Sequence, residues 1–244
     1  MSKELIMKKG LWYSIIDGTF RVQVPQDHLD AVRRDWKSVD GKNSGTKYER
    51  IVNALFGVIQ EVSFQEGEYG TQILIKLDEN EDGENPIVAL GTGSREGEDL
   101  MKKLPNIDLS KEIRLRPFNF TGQDNDEVRG MEVMQQDDAG NFTVKIVNFF
   151  VEQTKQEDGS FKRMMKNGFP APEGDTDMYS KDDWKIYFLS ARKFLIAYTK
   201  ENILPKLETR TMGVSPRPIQ SLEEQMERQG SYPKEEINPN EIPF

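Results

Sequence analysis

Arginines and phenylalanines alternate along one short segment in the middle of the chain. The segment 113–120 is typical of a β-strand, and alternation places Arg114, Arg116, Phe118 and Phe120 on one face. Guanidinium groups can hold phosphates while aromatic rings stack on unpaired bases. The pattern therefore predicts a surface for single-stranded nucleic acid. Packing of both phenylalanines in the core is an equally good interpretation, and the intervening proline could interrupt the alternation.

Further basic and aromatic residues extend this candidate set. Lys76 projects from a predicted strand on the side opposite its apolar residues. The basic and apolar segment 161–166 could contact a phosphate backbone from a loop, although such loops are more often only solvated. Weaker candidates, each more often structural than functional, are Trp12, Tyr13, Arg21, Tyr48, Arg50 and Tyr69. The predicted DNA-binding residues are Trp12, Arg50, Lys76, Arg114, Arg116, Phe118, Phe120, Lys162, Arg163 and Lys166.

The residue inventory gives little support for catalysis, so we predict that the protein is not an enzyme. There is no cysteine and only one histidine, His28, which leaves no thiol nucleophile and no evident catalytic triad. The segment 78–83 fits the opening of a calcium-binding loop, but its last ligand position is Ala89. The glycines at 91 and 93 precede a helix without the lysine of a phosphate-binding loop, which indicates a tight turn. No metal or cofactor is expected.

Composition indicates a water-soluble chain of one large domain or two small ones. Hydrophobic residues make up 36% and charged residues 31%, with no apolar run long enough to span a membrane. The first residues lack the apolar stretch of a secretory signal. We therefore expect a cytoplasmic location and no membrane partner, and a homo-oligomer is compatible with the sequence.

The last ten residues form an acidic, proline-broken segment with an apolar end. Residues 221–244 contain six glutamates against one arginine and one lysine, a net −4 of the formal −9. This end resembles the C-terminal tip of bacterial and phage single-stranded DNA-binding proteins, in which acidic residues precede Ile-Pro-Phe. The resemblance implies that the terminal phenylalanine enters an apolar pocket of a replication or repair protein while a basic partner residue holds the carboxylate. The residues concerned are Glu235, Glu236, Glu241, Ile242, Pro243 and Phe244.

The order of predicted elements is that of an OB-fold, a five-stranded Greek-key barrel. Three strands (51–64, with a bend at Gly57, 71–77 and 86–92) precede a helix capped by Ser94, and strands at 112–120 and 130–135 follow. A strand at 141–151 is expected to pair with the last of these. A hairpin at 11–24, turning at Asp17-Gly18, precedes the barrel, and a helix at 181–203, capped by Ser180, follows it.

We therefore predict a mainly β protein with added helices, divided into four parts. These are an N-terminal hairpin and extension at 1–47, a barrel at 48–151, a basic loop and C-terminal helix at 152–207, and a disordered acidic tail at 208–244. The segment 26–37 is predicted helical, and 152–180 irregular.

The resemblance and the element order together imply a bacterial or phage type of single-stranded DNA-binding protein. Its expected partners are single-stranded DNA and, through the tail, replication or repair proteins. In a phage-encoded protein the location would be the bacterial host cytoplasm. The extension before the barrel and the long helix after it depart from the bacterial tetrameric type. Two alternatives remain: an OB-type protein adaptor that binds no DNA, and a nuclease that uses carboxylate-bound metal.

Overall fold

The structure is a computed structural model that describes residues 10–38, 41–67, 70–80, 83–122, 125–155 and 161–211. It is mainly β-structure with helices towards the C-terminal end, as the sequence predicts. The strands are β1 Gly10–Ile16, β2 Thr19–Gln23, β3 Val32–Lys37, β4 Ser44–Val52, β5 Leu55–Gly57, β6 Ile59–Gly67, β7 Gly70–Leu77, β8 Asn85–Gly91, β9 Ile113–Thr121, β10 Glu127–Gln136, β11 Phe142–Lys145, β12 Val151–Lys155 and β13 Phe161–Met165. The helices are α1 Arg95–Lys103, α2 Lys181–Asn202 and α3 Leu204–Thr211, with short 3-10 turns at Leu104–Asn106 and Thr176–Met178.

The described strands form three open sheets. One sheet has seven strands in the order β3-β4-β2-β1-β8-β7-β6, with β1 and β8 parallel and the other pairs antiparallel. A second, antiparallel sheet has the order β11-β10-β9-β5, and β12 pairs with β13. The pairing of β11 with β10 confirms the predicted partner, but the strand ends at Lys145 instead of continuing to position 151 as predicted. The predicted closed five-stranded barrel is not confirmed, because β8 pairs with β7 and β1 instead of closing against the second sheet.

A bend at Gly57 divides the predicted strand 51–64 between the two large sheets. Gly57 has a φ of +146°, and a Cβ there would lie 2.6 Å from Oδ1 of Asp78, so only glycine fits without strain. The same carboxylate oxygen accepts a hydrogen bond from the Val58 amide at 2.8 Å, and the Asp78 amide donates to the Val58 carbonyl at 3.0 Å. After the bend, β5 pairs with β9 and β6 pairs with β7.

One hydrophobic core lies between the inner faces of the two large sheets. The predicted N-terminal hairpin is confirmed: Asp17 and Gly18 both have positive φ, the geometry of a tight hairpin turn that matches strand twist. Its Tyr13 and Phe20 are buried in this core. Helix α1 packs on β10 and is capped by Ser94, whose hydroxyl accepts from the amide of Gly97 at 3.0 Å.

Two predicted segments differ from the structure. The segment 26–37, predicted helical, is a turn followed by β3. All six residues of β3 pair with β4, and this pairing holds the segment in an extended conformation. The segment 152–180, predicted irregular, contains the β12–β13 hairpin. Helix α3 runs to Thr211, past position 208 where the predicted tail begins, and residues 212–244, including the apolar tip, lie outside the described residues.

An aromatic cluster fastens α2 to the body of the protein. The ring of Phe150 is fully buried and lies 4.9–5.6 Å, centroid to centroid, from the rings of Phe149, Phe169, Phe194 and Tyr198. The predicted cap of α2 is confirmed by a capping box with Ser180: its hydroxyl accepts from the Asp183 amide, and its own amide donates to the Asp183 carboxylate.

Replacement of Phe150 should loosen this attachment. Phe150→Ala leaves a cavity beneath α2, and we expect it to lower the free energy of unfolding by about 3–5 kcal/mol. Urea denaturation followed by circular dichroism measures the change. Phe120→Ala is the control, since Phe120 is 55% exposed and its loss should cost less than about 1 kcal/mol. Equal effects of the two substitutions would contradict the packing role of Phe150.

Candidate functional site

A groove of about 390 Å³ crosses the outer face of the seven-stranded sheet. Because side chains alternate along a strand, Tyr13 and Phe20 point into the core while Trp12, Ser14 and Arg21 point outward and line the groove. The floor continues over β8, whose outward side chains at this point are small. The N-terminal hairpin and the middle of the sheet thus form one surface.

Five cationic side chains from five different elements reach this groove, set against three carboxylates among its described lining residues. The cations are Arg21 of β2, Arg34 of β3, Lys47 of β4, Arg129 of β10 and Arg192 of α2. The carboxylates are Asp17, Glu49 and Glu96. The groove is therefore locally basic within a protein whose formal net charge is −9. Anionic ligands are attracted by such a local field rather than by net charge.

Glu49 organises the cations on one side of the groove. Its side chain is almost fully buried and accepts two hydrogen bonds from Arg34, Nε to Oε2 at 2.7 Å and Nη2 to Oε1 at 2.6 Å. Arg21 Nη1 lies 3.6 Å from the same carboxylate. Burial alone would raise the pKa of Glu49, but the hydrogen bonds and charges of the two arginines outweigh it, so the pKa lies below its ordinary value. Glu49 thus stays ionised and fixes both guanidinium groups.

Lys47 and Arg192 are less constrained than the paired arginines. The ammonium of Lys47 lies 5.2 Å from the ring centroid of Trp36, and burial, assisted by the charge of Arg34, lowers the pKa of Lys47. The guanidinium of Arg192 lies directly over Gly93, where any Cβ would overlap it. Within the described part of the chain, no hydrogen bond or ion pair of the Arg192 side chain is recorded. Both cations are thus available to an anionic ligand.

The predicted β9 surface lies on the outer face of the four-stranded sheet. Alternation holds through the proline, with Leu115 in the core and Phe118 and Phe120 outside it, so the core-packing interpretation of these two rings is wrong. The rings lie 5.8 Å apart, centroid to centroid, and Phe120 is 55% exposed. Their approach over β10 requires Gly130, because a Cβ there would lie 2.5 Å from Cζ of Phe118.

Glu132 forms ion pairs with both arginines beside these rings and offsets part of their charge. Arg116 lies 2.9 Å from Oε2 through Nε and donates from Nη2 to Oε1 at 3.0 Å, while Arg114 donates from Nη2 to Oε2 at 3.1 Å. A single carboxylate thus holds two guanidinium groups on one face. The charge that remains free is smaller than the sequence pattern suggests.

The other predicted residues are more dispersed. Trp12 lies in the groove floor but is only 5% exposed, and Arg50 points towards the core, donating to the Tyr13 hydroxyl at 2.9 Å and to Glu84 at 2.8 Å. Lys76 is half-buried on the outer face of β7 and does not line the groove. Lys162, Arg163 and Lys166 are exposed on or next to β13, and Lys166 is paired with Glu152. Tyr13 is buried, and Tyr69 lies outside the described residues.

Four groove cations were not among the predicted site residues: Arg34, Lys47, Arg129 and Arg192. Arg34 and Lys47 are directly opposite each other in the β3–β4 register. An interpretation of 32–37 as a strand would therefore have predicted that these two side chains lie on the same face of the sheet. Arg129 and Arg192 come from distant elements and have no local signal.

No known protein family matches this chain, and neither a curated protein nor a solved structure is significantly similar to it. Among the residues that the structure describes, no three histidine, aspartate or glutamate side chains are grouped so as to hold a metal ion. None of the described helices is both long and apolar enough to cross a membrane.

The Glu49 cluster predicts a specific pH dependence. Because the folded-state pKa of Glu49 is lowered, its ion pairs stabilise the fold above the ordinary value of 4.5 and are lost as the pH falls through the folded-state value. Glu49→Gln should therefore lower the free energy of unfolding by about 1–3 kcal/mol at neutral pH. The difference from wild type should shrink towards about pH 3.

Urea denaturation at both pH values tests this expectation. Glu173→Gln serves as the control, because Glu173 is exposed and no ion pair of its side chain is recorded among the described residues. A Glu49→Gln effect that is absent at neutral pH, or equally large in acid, would show that the carboxylate does not stabilise the groove electrostatically.

Proposed function

We propose that this protein binds and protects single-stranded DNA without strong sequence preference during replication, recombination or repair. The observation that carries the proposal is the convergence of five cationic side chains on one groove of an otherwise acidic protein. Proteins that hold single strands combine a positively charged groove with aromatic rings on which bases stack. The half-buried Phe118 and the exposed Phe120 offer such rings next to the groove.

We further propose that the central part of the chain is a divergent, open OB-fold. In this interpretation β5 and β6 together form its bent first strand, followed by β7, β8, α1, β9 and β10. OB-folds bind oligonucleotides on the face of their second and third strands and in the adjoining loops. The groove touches the corresponding strands, β7 and β8, and extends over the N-terminal hairpin. The extra strands β1 to β4 would then enlarge the binding face.

The acidic tail complements this groove in charge. In the proposed mechanism it competes with DNA for the groove when no DNA is bound, and bound DNA releases its Ile-Pro-Phe tip to a polymerase, helicase or nuclease. The resemblance of the tip to that of single-stranded DNA-binding proteins supports recruitment of such partners.

A second candidate function is a protein adaptor that binds no DNA. It is favoured by the ion pairs of Arg114 and Arg116 with Glu132, and by exposed apolar side chains on the same sheet face, including Phe56 and Val128. A surface of this kind could accept an apolar peptide. The two functions differ in their response to oligonucleotides.

Titration with oligo-dT distinguishes the two candidates. The DNA-binding function predicts quenching of tryptophan fluorescence, with a logarithm of the binding constant that falls linearly with the logarithm of salt concentration. Absence of binding at low salt would contradict it and favour the adaptor.

Arg192 offers a sharp test of the groove. Arg192→Gln should weaken binding of a dT oligonucleotide and reduce the salt slope by about 0.7, the value expected for the loss of one phosphate contact on a single strand. The control is Lys193→Gln, the next residue of α2, which is exposed and does not line the groove. Equal salt slopes for the two variants would place the DNA elsewhere.

Removal of the tail tip tests the competition with DNA. Deletion of residues 235–244 should strengthen DNA binding at low salt, because it removes three glutamates and the terminal carboxylate that compete with DNA in the proposed mechanism. The gain should fall as salt screens these charges. DNA affinity that stays the same as wild type across the salt series would exclude competition by the tail. Loss of partner binding in the same deletion would be expected of the tip.

A further inference from the structure

A depression lies beside Phe118 and Phe120, which we call the aromatic pair. Two residues line both this depression and the groove. Gly18, in the β1–β2 turn, and Asn119, in β9, lie at the border between the two surfaces. The groove belongs to the seven-stranded sheet and the aromatic pair to the four-stranded sheet. These two residues are thus the point where the surfaces meet, and we name them the saddle.

The β1–β2 turn can approach the β9 backbone closely at the saddle because residue 18 is a glycine. Gly18 has a φ of +69°, and a Cβ there would lie 2.5 Å from the backbone nitrogen of Asn119. The turn therefore sits directly against the β9 backbone, and residue 18 places no side chain between the groove and the depression.

Hydrogen bonds fix the other side of the saddle. The Asn119 amide donates from Nδ2 to Oε1 of Glu127 at 2.9 Å, and Arg129 Nη2 lies 2.7 Å from the same oxygen. Arg129 lines the groove. The Glu127 carboxylate therefore holds both a groove cation and the saddle residue Asn119. On the far side the depression is lined by Phe118, Phe120 and the basic residues Lys103, Arg116 and Lys145.

We propose that one single strand of DNA follows a continuous track, from the cationic groove across the saddle to the aromatic pair Phe118 and Phe120. The inference rests on the proposed function and adds the path of the strand. Phosphates contact the groove cations, and bases beyond the saddle stack on the rings of Phe118 and Phe120. The groove and the aromatic pair are then two subsites for one molecule, and a strand must exceed a minimum length to occupy both.

A length series of dT oligonucleotides tests the track. Strands from about 4 to about 16 nucleotides span the range of sites found on single OB-folds. Binding constants and stoichiometries are measured for wild type, Arg192→Gln in the groove and Phe120→Ala beyond the saddle. Phe56→Ala is the matched control, because Phe56 is 43% exposed on the same sheet face and lines neither surface. Thermal unfolding of each variant verifies that it is folded.

The track predicts that the longest strand binds one per chain and is weakened by both Arg192→Gln and Phe120→Ala. The loss for Phe120→Ala should be about tenfold, equivalent to about 1.4 kcal/mol. The shortest strand should be weakened by only one of the two substitutions, and Phe56→Ala should change neither.

Three other outcomes would contradict the track or the proposed function. Two long strands bound per chain would show separate sites and overturn the track. A longest strand that responds to only one of the two substitutions would also overturn it, while leaving DNA binding in place. If wild type binds no strand of any length, the proposed function itself fails.

Discussion

The bend at Gly57 is the constraint on which the arrangement of this protein depends. The segment that includes β4, β5 and β6 belongs first to the seven-stranded sheet, then to the four-stranded sheet, then again to the first. Only a residue without Cβ can take this conformation beside Asp78, whose two hydrogen bonds to Val58 hold the bend. Because the two sheets share this chain segment, their outer faces have a fixed relative position. The relative position of the groove and the aromatic pair is fixed in the same way.

Electrostatics inside the groove follow from burial rather than from composition. Guanidinium groups crowded together repel one another, and the buried carboxylate of Glu49 offsets this by binding Arg34 and approaching Arg21. Glu132 has the same role on the other sheet, with Arg114 and Arg116. The groove also contains Arg192, whose guanidinium group makes no ion pair among the described residues. The groove therefore keeps a net positive charge on an acidic protein.

Local patterns predict much of the fold. Asp17-Gly18 predicts its hairpin because the turn type depends on those two residues alone, and Ser94 and Ser180 predict helix starts for the same reason. The alternation of β9 predicts which side chains face outward, and its phenylalanines are indeed outside the core. These features require only short-range chemistry.

The groove could not be predicted in the same way, because it is assembled by long-range pairing. The parallel contact of β1 with β8 joins residues more than seventy positions apart, and no local pattern encodes it. The short polar strand β3 was predicted to be helical, since its stability comes from pairing with β4 rather than from its own propensity. The positions of Arg34 and Lys47 in the groove therefore depend on the β3–β4 pairing and do not follow from the local sequence. Arg192 joins them from a helix near the other end of the chain.

The central claim is that DNA lies in the groove of the seven-stranded sheet. Photo-crosslinking of a dT oligonucleotide, followed by mass spectrometry of the labelled peptides, tests it most directly. The account predicts adducts in peptides containing β1, β2 and β4, together with peptides containing Phe118 and Phe120. Adducts confined to the exposed β12–β13 hairpin, with none in the groove strands, would contradict it.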